Sequence, residues 1–204
     1  MKLLPAGDTA LLVELGDLEE VLSLYAQLDE DLPDGVVDLV PAATTLLLTI
    51  DPRVTDVEGL ARRVSGITVG SHERTTTGEV EIPVVYDGAD LAEVGRITGL
   101  GARGVVEAHT ASTWTVAFCG FAPGFGYMVG GDERLRVPRR DNPRTRVPAG
   151  SVAIAGEFAS VYPRESPGGW QLIGRTALEV WDIGREPPAL LVPGTTVRYV
   201  EVTS

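Results

Sequence analysis

Lysine is almost missing from this chain: Lys2 stands alone against sixteen arginines. A phosphate-cradling Walker loop needs a lysine behind its glycines to reach the outer phosphates, so there is no P-loop. The same scarcity removes a Ser-Ser-Lys amidase site and a Schiff-base lysine. Two histidines (His72, His109) and one cysteine (Cys119) fall short of the usual four zinc ligands. No carboxylate spacing suggests another metal, so none is expected. A lone cysteine cannot close an internal disulfide. No window approaches the roughly 18 uninterrupted apolar residues of a membrane span, and the N-terminus has neither the basic start nor the apolar run of a secretory signal. The expectation is a cytoplasmic protein without membrane contact. A net charge of −12 argues against general nucleic-acid binding, which depends on neutralising phosphates.

What is present points to a folded protein: 44% hydrophobic and 23% charged residues in 204. Charge is unevenly spread. Residues 1–131 carry a balance of −13, whereas 132–185 carry +2, and six arginines crowd between Arg134 and Arg146. Such a block in an acidic protein attracts a small anion or an acidic partner surface. Arginine also offers a planar fork suited to carboxylate or phosphate.

The first 77 residues read as a small α/β domain. Ala10–Leu15 is an apolar strand; Asp17 and Glu20 form a capping box for a helix with a Leu18, Val21, Leu22, Tyr25, Leu28 stripe. Val36–Val40 and Thr45–Ile50 are strand-like. Thr55 and Glu58 cap a second helix ending at Gly66, and Ile67–Val69 is a weak last strand. The order resembles a ferredoxin-like split unit. Ser71–Gly78 reads as a linker, and residues 78–204 form a second domain. There Val80–Tyr86 is a strand, Asp90–Thr98 and Ala102–Ala111 are short helices, and Thr113–Phe118 is a strand. Beyond Gly120, glycine and proline punctuate short apolar runs at 152–155, 170–173, 178–181, 189–192 and 197–202, a pattern of an all-β barrel or sandwich.

Gly99–Gly104 formally matches G-x-G-x-x-G, but it follows a helical segment where a dinucleotide loop must follow a strand; it reads as an inter-helix turn. Cys119 and His109 invite a nucleophile–base reading. Free cysteines are usually buried, however, and a histidine near a helix end more readily caps or packs. Three clusters remain. Gly120–Gly131 alternates glycine with aromatics, either a ligand wall with approachable amides or a buried glycine-hinged loop. Val137–Arg144 fixes arginines between prolines, either an anion clamp or a solvated salt-bridge surface. Tyr162-Pro163, Ser166–Trp170 and Ile173–Thr176 offer a hydroxyl and a Gly168-Gly169 amide nest, or ordinary turns.

These clusters together resemble the family that includes the B-type component of 5-oxoprolinase, allophanate hydrolase subunit 1 and the sporulation-kinase inhibitor. The matching segments are GFAPGFGYMVGG (120–131), RLRVPRRDNPRTRVPAGSVAIAG (134–156), VYPRESPGGWQLIGRT (161–176) and PALLVPGTTVRY (188–199). The resemblance implies an α+β architecture, a small ferredoxin-like α/β domain followed by a cyclophilin-like β-barrel. It also implies a sister cyclophilin-like subunit (of the 5-oxoprolinase C-component or allophanate hydrolase subunit 2 type). With a possible third subunit, the assembly opens 5-oxo-L-proline to L-glutamate with ATP. The alternatives are a urea carboxylase or allophanate hydrolase component, or a histidine-kinase inhibitor. ATP enters at the level of the complex. Mapped onto the family motifs, His109, Arg139 and Arg144 are catalytic candidates. Phe121, Gly124, Phe125, Tyr127, Ser151, Tyr162, Ser166, Gly168, Gly169, Trp170 and Arg175 are substrate-binding candidates. Two departures stand out: Trp114 replaces a tyrosine, and Glu157–Ser160 replaces a segment resembling Gln-Thr-Gly-Ile.

Overall fold

The computed structural model describes residues 1–70 and 76–203. Most of the expected linker, residues 71–75, lies outside the described residues. The chain divides into two compact units, Met1–Arg74 and Thr75–Ser204.

The first unit runs β1 (Lys2–Pro5), β2 (Ala10–Glu14), α1 (Leu18–Glu30), β3 (Val36–Pro41), β4 (Thr45–Ile50) and α2 (Val57–Ser65). Asp17 starts α1 by accepting from the Glu20 amide at 2.9 Å, and Glu20 reaches back to the Gly16 amide at 2.8 Å. At α2 the cap is Asp56 rather than the expected Thr55: its carboxylate takes the Gly59 amide at 2.6 Å, so the helix begins one residue later. Leu46, Leu48 and Ile50 alternate inward along β4 and meet Val21, Leu24 and Leu28 of α1 in one core.

The sheet is antiparallel in the order β1-β2-β4-β3. The strand expected at 67–69 does not form. The place beside β2 is filled from the N-terminus instead, by β1, which pairs Lys2 with Glu14 through to Pro5 with Leu11. A short hairpin costs little closure entropy, whereas a three-residue segment between Gly66 and Gly70 has little to pair with. The β-α-β-β-α-β order of the sequence reading is therefore replaced by β-β-α-β-β-α.

The second unit contains β5 (Gly78–Val84), α3 (Leu91–Thr98), α4 (Gly101–Ala111), β6 (Trp114–Cys119), β7 (Gly126–Val129) and a 3₁₀ turn (Glu133–Leu135). It continues through β8 (Arg144–Val147), β9 (Ser151–Ala155), β10 (Phe158–Val161), β11 (Ser166–Gly168), β12 (Gln171–Arg175) and β13 (Thr195–Glu201). Seven strands form one curled sheet, β12-β9-β10-β7-β6-β13-β5, and β8 pairs with β11 separately. All neighbours are antiparallel except β13 and β5. The two edges of the curl meet at the Val85–Arg175 bridge, with both N–H···O bonds at 2.9 Å, and the seam continues through Gly88 N–H to Ile173 O at 3.3 Å and Asp90 N–H to Leu172 O at 2.9 Å.

Strand alternation splits the side chains between two cores. Val152, Ile154, Val161 and Ile173 point into the main core with Trp114 and Tyr199. Ala153, Ala155 and Leu172 point the other way, into an aromatic layer. The runs at 178–181 and 189–192 form no strands, only one Trp181–Ala189 bridge. Pro187, Pro188 and Pro193 remove the amide donors that a ladder there would need. Gly99 and Gly101 take left-handed angles (φ 72° and 69°) between α3 and α4, as an inter-helix turn requires.

Candidate functional site

The glycine-aromatic block becomes a tight loop followed by β7. The Ala122 amide donates to Gly120 O at 2.7 Å across Phe121, whose φ is +64°. This is the strained form of γ-turn, and Phe121 is the only positive-φ residue with a side chain among the described residues. Holding such a residue costs on the order of 1–3 kcal/mol, and such strain concentrates at functional positions. The residue is 59% exposed. Gly124, at φ +81°, lets the loop lie on Trp181; a Cβ there would come within 2.6 Å of the Trp181 Cβ.

Behind Phe121 the aromatics of the first and third blocks converge. Phe125 meets Phe121, Tyr127, Tyr162 and Trp170 edge-on at centroid distances of 5.2, 5.1, 5.2 and 5.4 Å. Tyr127 also meets Trp170 and Phe158 at 5.5 Å and stacks on Phe118 at 4.5 Å. Edge-to-face pairs each add about 0.5–1.5 kcal/mol beyond burial, so the cluster is a rigid wall. Gly168 lets the backbone pass over the Tyr162 hydroxyl, because a Cβ would sit 2.3 Å from that oxygen. Burial raises the Tyr162 pKa against the opposing effects of the Trp170 amide and the Arg139 and Arg144 charges. Arg139 likewise opposes the burial-driven rise at Tyr127. The charge of the exposed Arg139 is thus felt at both tyrosines.

The arginine block is held from an unexpected direction. Asp90, 3% exposed at the start of α3, accepts from Arg144 Nη1 and Nη2 at 2.8 Å each and from Arg140 Nη1 at 2.6 Å. It also accepts from the Leu172 amide at 2.7 Å. Burial alone would raise its pKa; the Arg144 hydrogen bond, the Leu172 amide and both guanidinium charges together outweigh that and lower it. Asp90 makes no cap bond to its own helix. Its carboxylate is spent fastening the 138–144 loop to β12.

The remaining candidates distribute unevenly. His109 lies in the main core at 0% exposure, with Nδ1 2.7 Å from the Tyr86 hydroxyl and rings of Trp114 and Tyr199 around it. Burial pushes its pKa down to about 3, so it stays neutral, and its Nε2 has no partner. None of its ring contacts joins the aromatic layer. Ser151 is buried and donates to Pro148 O at 2.8 Å, which holds a turn; Ser166 makes a long 3.4 Å contact to Arg164 O. Gly169 lies against Pro143, and Arg175 pairs with Asp87 at 2.8 Å. Sequence reasoning misses Asp90 and Arg140, whose partners are distant in the chain. It also misses Ser160, fully buried with an unpartnered hydroxyl on the strand face that carries Phe158. A serine inside an otherwise apolar strand is the available signal.

This two-unit chain, with its curled sheet and its aromatic and arginine loops, belongs to the carboxyltransferase domain family, subdomain C and D, whose pattern matches residues 1–191. Within it, the chain is 39% identical to the B subunit of 5-oxoprolinase from Escherichia coli O157:H7, covering 95% of this chain and 93% of the relative. It is 34% identical to the corresponding B subunit from Bacillus subtilis (strain 168), covering 97% and 91%. Urea amidolyase of Saccharomyces cerevisiae is more distant, at 26% identity and with only 13% of its length covered. Among solved structures, TTHA0988 superposes with a TM-score of 0.77 at 37% identity over 97% of this chain. The chain spans 40% of that larger polypeptide.

Proposed function

We propose that this chain is the B-type subunit of a 5-oxoprolinase, which opens the lactam of 5-oxo-L-proline to L-glutamate at the expense of ATP. The supporting observation is similarity to the B-type relatives along nearly the whole chain, at 39% identity for that of E. coli. The reading extends to a cytoplasmic location and a cyclophilin-like barrel for the second unit.

Arg139 is the residue that meets the substrate. 5-Oxoproline carries a carboxylate, and Arg139 is exposed, unpaired among the described residues and near enough for its charge to act on Tyr127 and Tyr162. A free guanidinium binds a carboxylate through paired N–H···O bonds in a fixed orientation. Arg144, expected beside it as a second clamp, is committed to Asp90 and acts by fixing the loop. His109, buried and neutral, has no path to a reacting atom and serves the core.

Two observations favour an ATP site elsewhere in the complex. Lys2, its single lysine, sits 3.6 Å from Glu14 on an exposed strand. The cavity of about 240 Å³ beside Trp114 is smaller than the roughly 300–1,000 Å³ usual for larger ligands. Nucleotide binding is assigned elsewhere in the complex. The exposed Phe121 and Trp181 beside Gly124 form the face covered by a sister cyclophilin-like subunit, with a third one completing the assembly; the chain alone is inactive.

The test is 5-oxoproline-dependent ATP hydrolysis by the reconstituted complex. Arg139→Ala is expected to raise KM at least tenfold, with Arg139→Lys recovering part of the loss. Full activity in Arg139→Ala overturns the clamp. Turnover of urea with a biotin carrier, and none of 5-oxoproline, overturns the substrate and favours a urea-carboxylase component.

A further inference from the structure

The cavity beside Trp114 is separate in chemistry from the Arg139 face. Its floor is apolar, made by Trp114, Ile154 and Phe158, and its rim carries Glu133, Arg136 and Glu157. Gly131 is required in its wall, because a Cβ there would lie 2.0 Å from the Trp114 indole. The volume of about 240 Å³ matches a small metabolite.

The rim charges pair at a distance, without direct hydrogen bonds. Arg136 Nη2 lies 3.8 Å from Glu133 Oε1 and 3.8 Å from Glu157 Oε2. Both distances exceed the 2.7–3.2 Å of an N–H···O bond, so the guanidinium keeps its donors and the carboxylates their lone pairs. Elsewhere in the same unit arginines close fully on their acids, as Arg146 does on Glu165 at 2.9 Å and Arg175 on Asp87 at 2.8 Å. A third acid of the lining, Asp132, is closed on Arg134 at 3.0 Å, which leaves two carboxylates and one guanidinium above an apolar floor to complement a ligand with one cationic centre, one anionic centre and an apolar tail.

We propose that this cavity binds a small α-amino acid as its zwitterion, with the ammonium on Glu157, the carboxylate on Arg136 and an apolar side chain on Trp114 and Ile154. Glu133, at the mouth, adds a second acceptor for the ammonium. The lactam 5-oxoproline has a carboxylate but no ammonium, so it meets only half of this rim; the site is distinct from the Arg139 face. It rests on local geometry and does not require the lactamase reading.

L-Leucine is the probe, titrated into the full chain by calorimetry, with 4-methylpentanoate (no ammonium) and isoamylamine (no carboxylate) as controls. Saturable L-leucine binding is expected, weakened at least tenfold in both controls. Arg136→Gln is expected to abolish the preference for L-leucine over isoamylamine, and Glu157→Gln the preference over 4-methylpentanoate. Both variants leave the thermal midpoint and 5-oxoproline-dependent turnover of the complex unchanged, which separates a failure here from a failure of the lactamase assignment. No L-leucine binding, equal binding of the controls, or wild-type preferences in the variants overturns the proposal.

Discussion

Arg144 grips Asp90 through two N–H···O bonds of 2.8 Å, joining positions 54 residues apart. With Arg140 and the Leu172 amide on the same carboxylate, one acid orders the loop that presents Arg139. The helix that Asp90 begins gains no side-chain cap from it. That combination marks a residue whose value lies in tertiary attachment.

Removing that acid leaves two guanidinium groups without a counter-charge. Asp90→Asn is expected to lower unfolding free energy by about 3–5 kcal/mol, as breaking a buried pair does. It also weakens 5-oxoproline turnover through disorder of Arg139. Urea melts and the KM of the complex check both effects. Asp90→Asn with unchanged stability contradicts the fastening role.

His109 sets an acid limit. Its pKa is about 3 in the folded chain against 6.5 in the free side chain, so the unfolded state takes up the proton first as pH falls. The stability it contributes is complete above about pH 6.5 and drains away towards pH 3, at up to about 1.4 kcal/mol per unit. Urea midpoints measured from pH 7 to pH 4 are expected to fall more steeply in the wild type than in His109→Phe. Identical slopes refute the claim. The pH profile of turnover carries no limb from this residue.

Phe121 separates strain from contact. Phe121→Gly suits φ +64° and removes the ring, whereas Phe121→Ala removes the ring and keeps the strain. Glycine is therefore expected to leave the protein more stable than alanine by about 1 kcal/mol. Both variants lose assembly with the sister subunit, because the exposed ring is gone. Thermal melts and size-exclusion of mixed subunits read the two effects independently.

Legibility follows locality. Thr45–Ile50 is readable to the residue, because alternation and flanking turns define a strand within six positions. The helix pair around Gly99 is readable for the same reason. β1 is not: its four residues include Pro5 and Lys2, and only pairing with β2 makes them a strand. β7 hides inside a glycine-aromatic run whose chemistry suggests a ligand loop throughout. The aromatic half of the candidate site is visible in the sequence, since five rings from separate blocks converge. The arginine half is less legible, because the acid that pairs with Arg144 lies across the fold. Nothing near Asp90 in the chain announces that its partner is an arginine 54 residues on.

Ladders bind the seven strands side by side, but the hoop is buckled by a short seam: the Val85–Arg175 bridge and two further amide bonds, Gly88 to Ile173 and Asp90 to Leu172. A hoop parts at its buckle when it breathes. The Arg175–Asp87 pair borders that line, and the Asp90 knot sits a few residues further on. Amide protons along this gap accordingly trade with solvent sooner than those of the β9–β10 ladder, and each opening slackens the tether of the arginine loop.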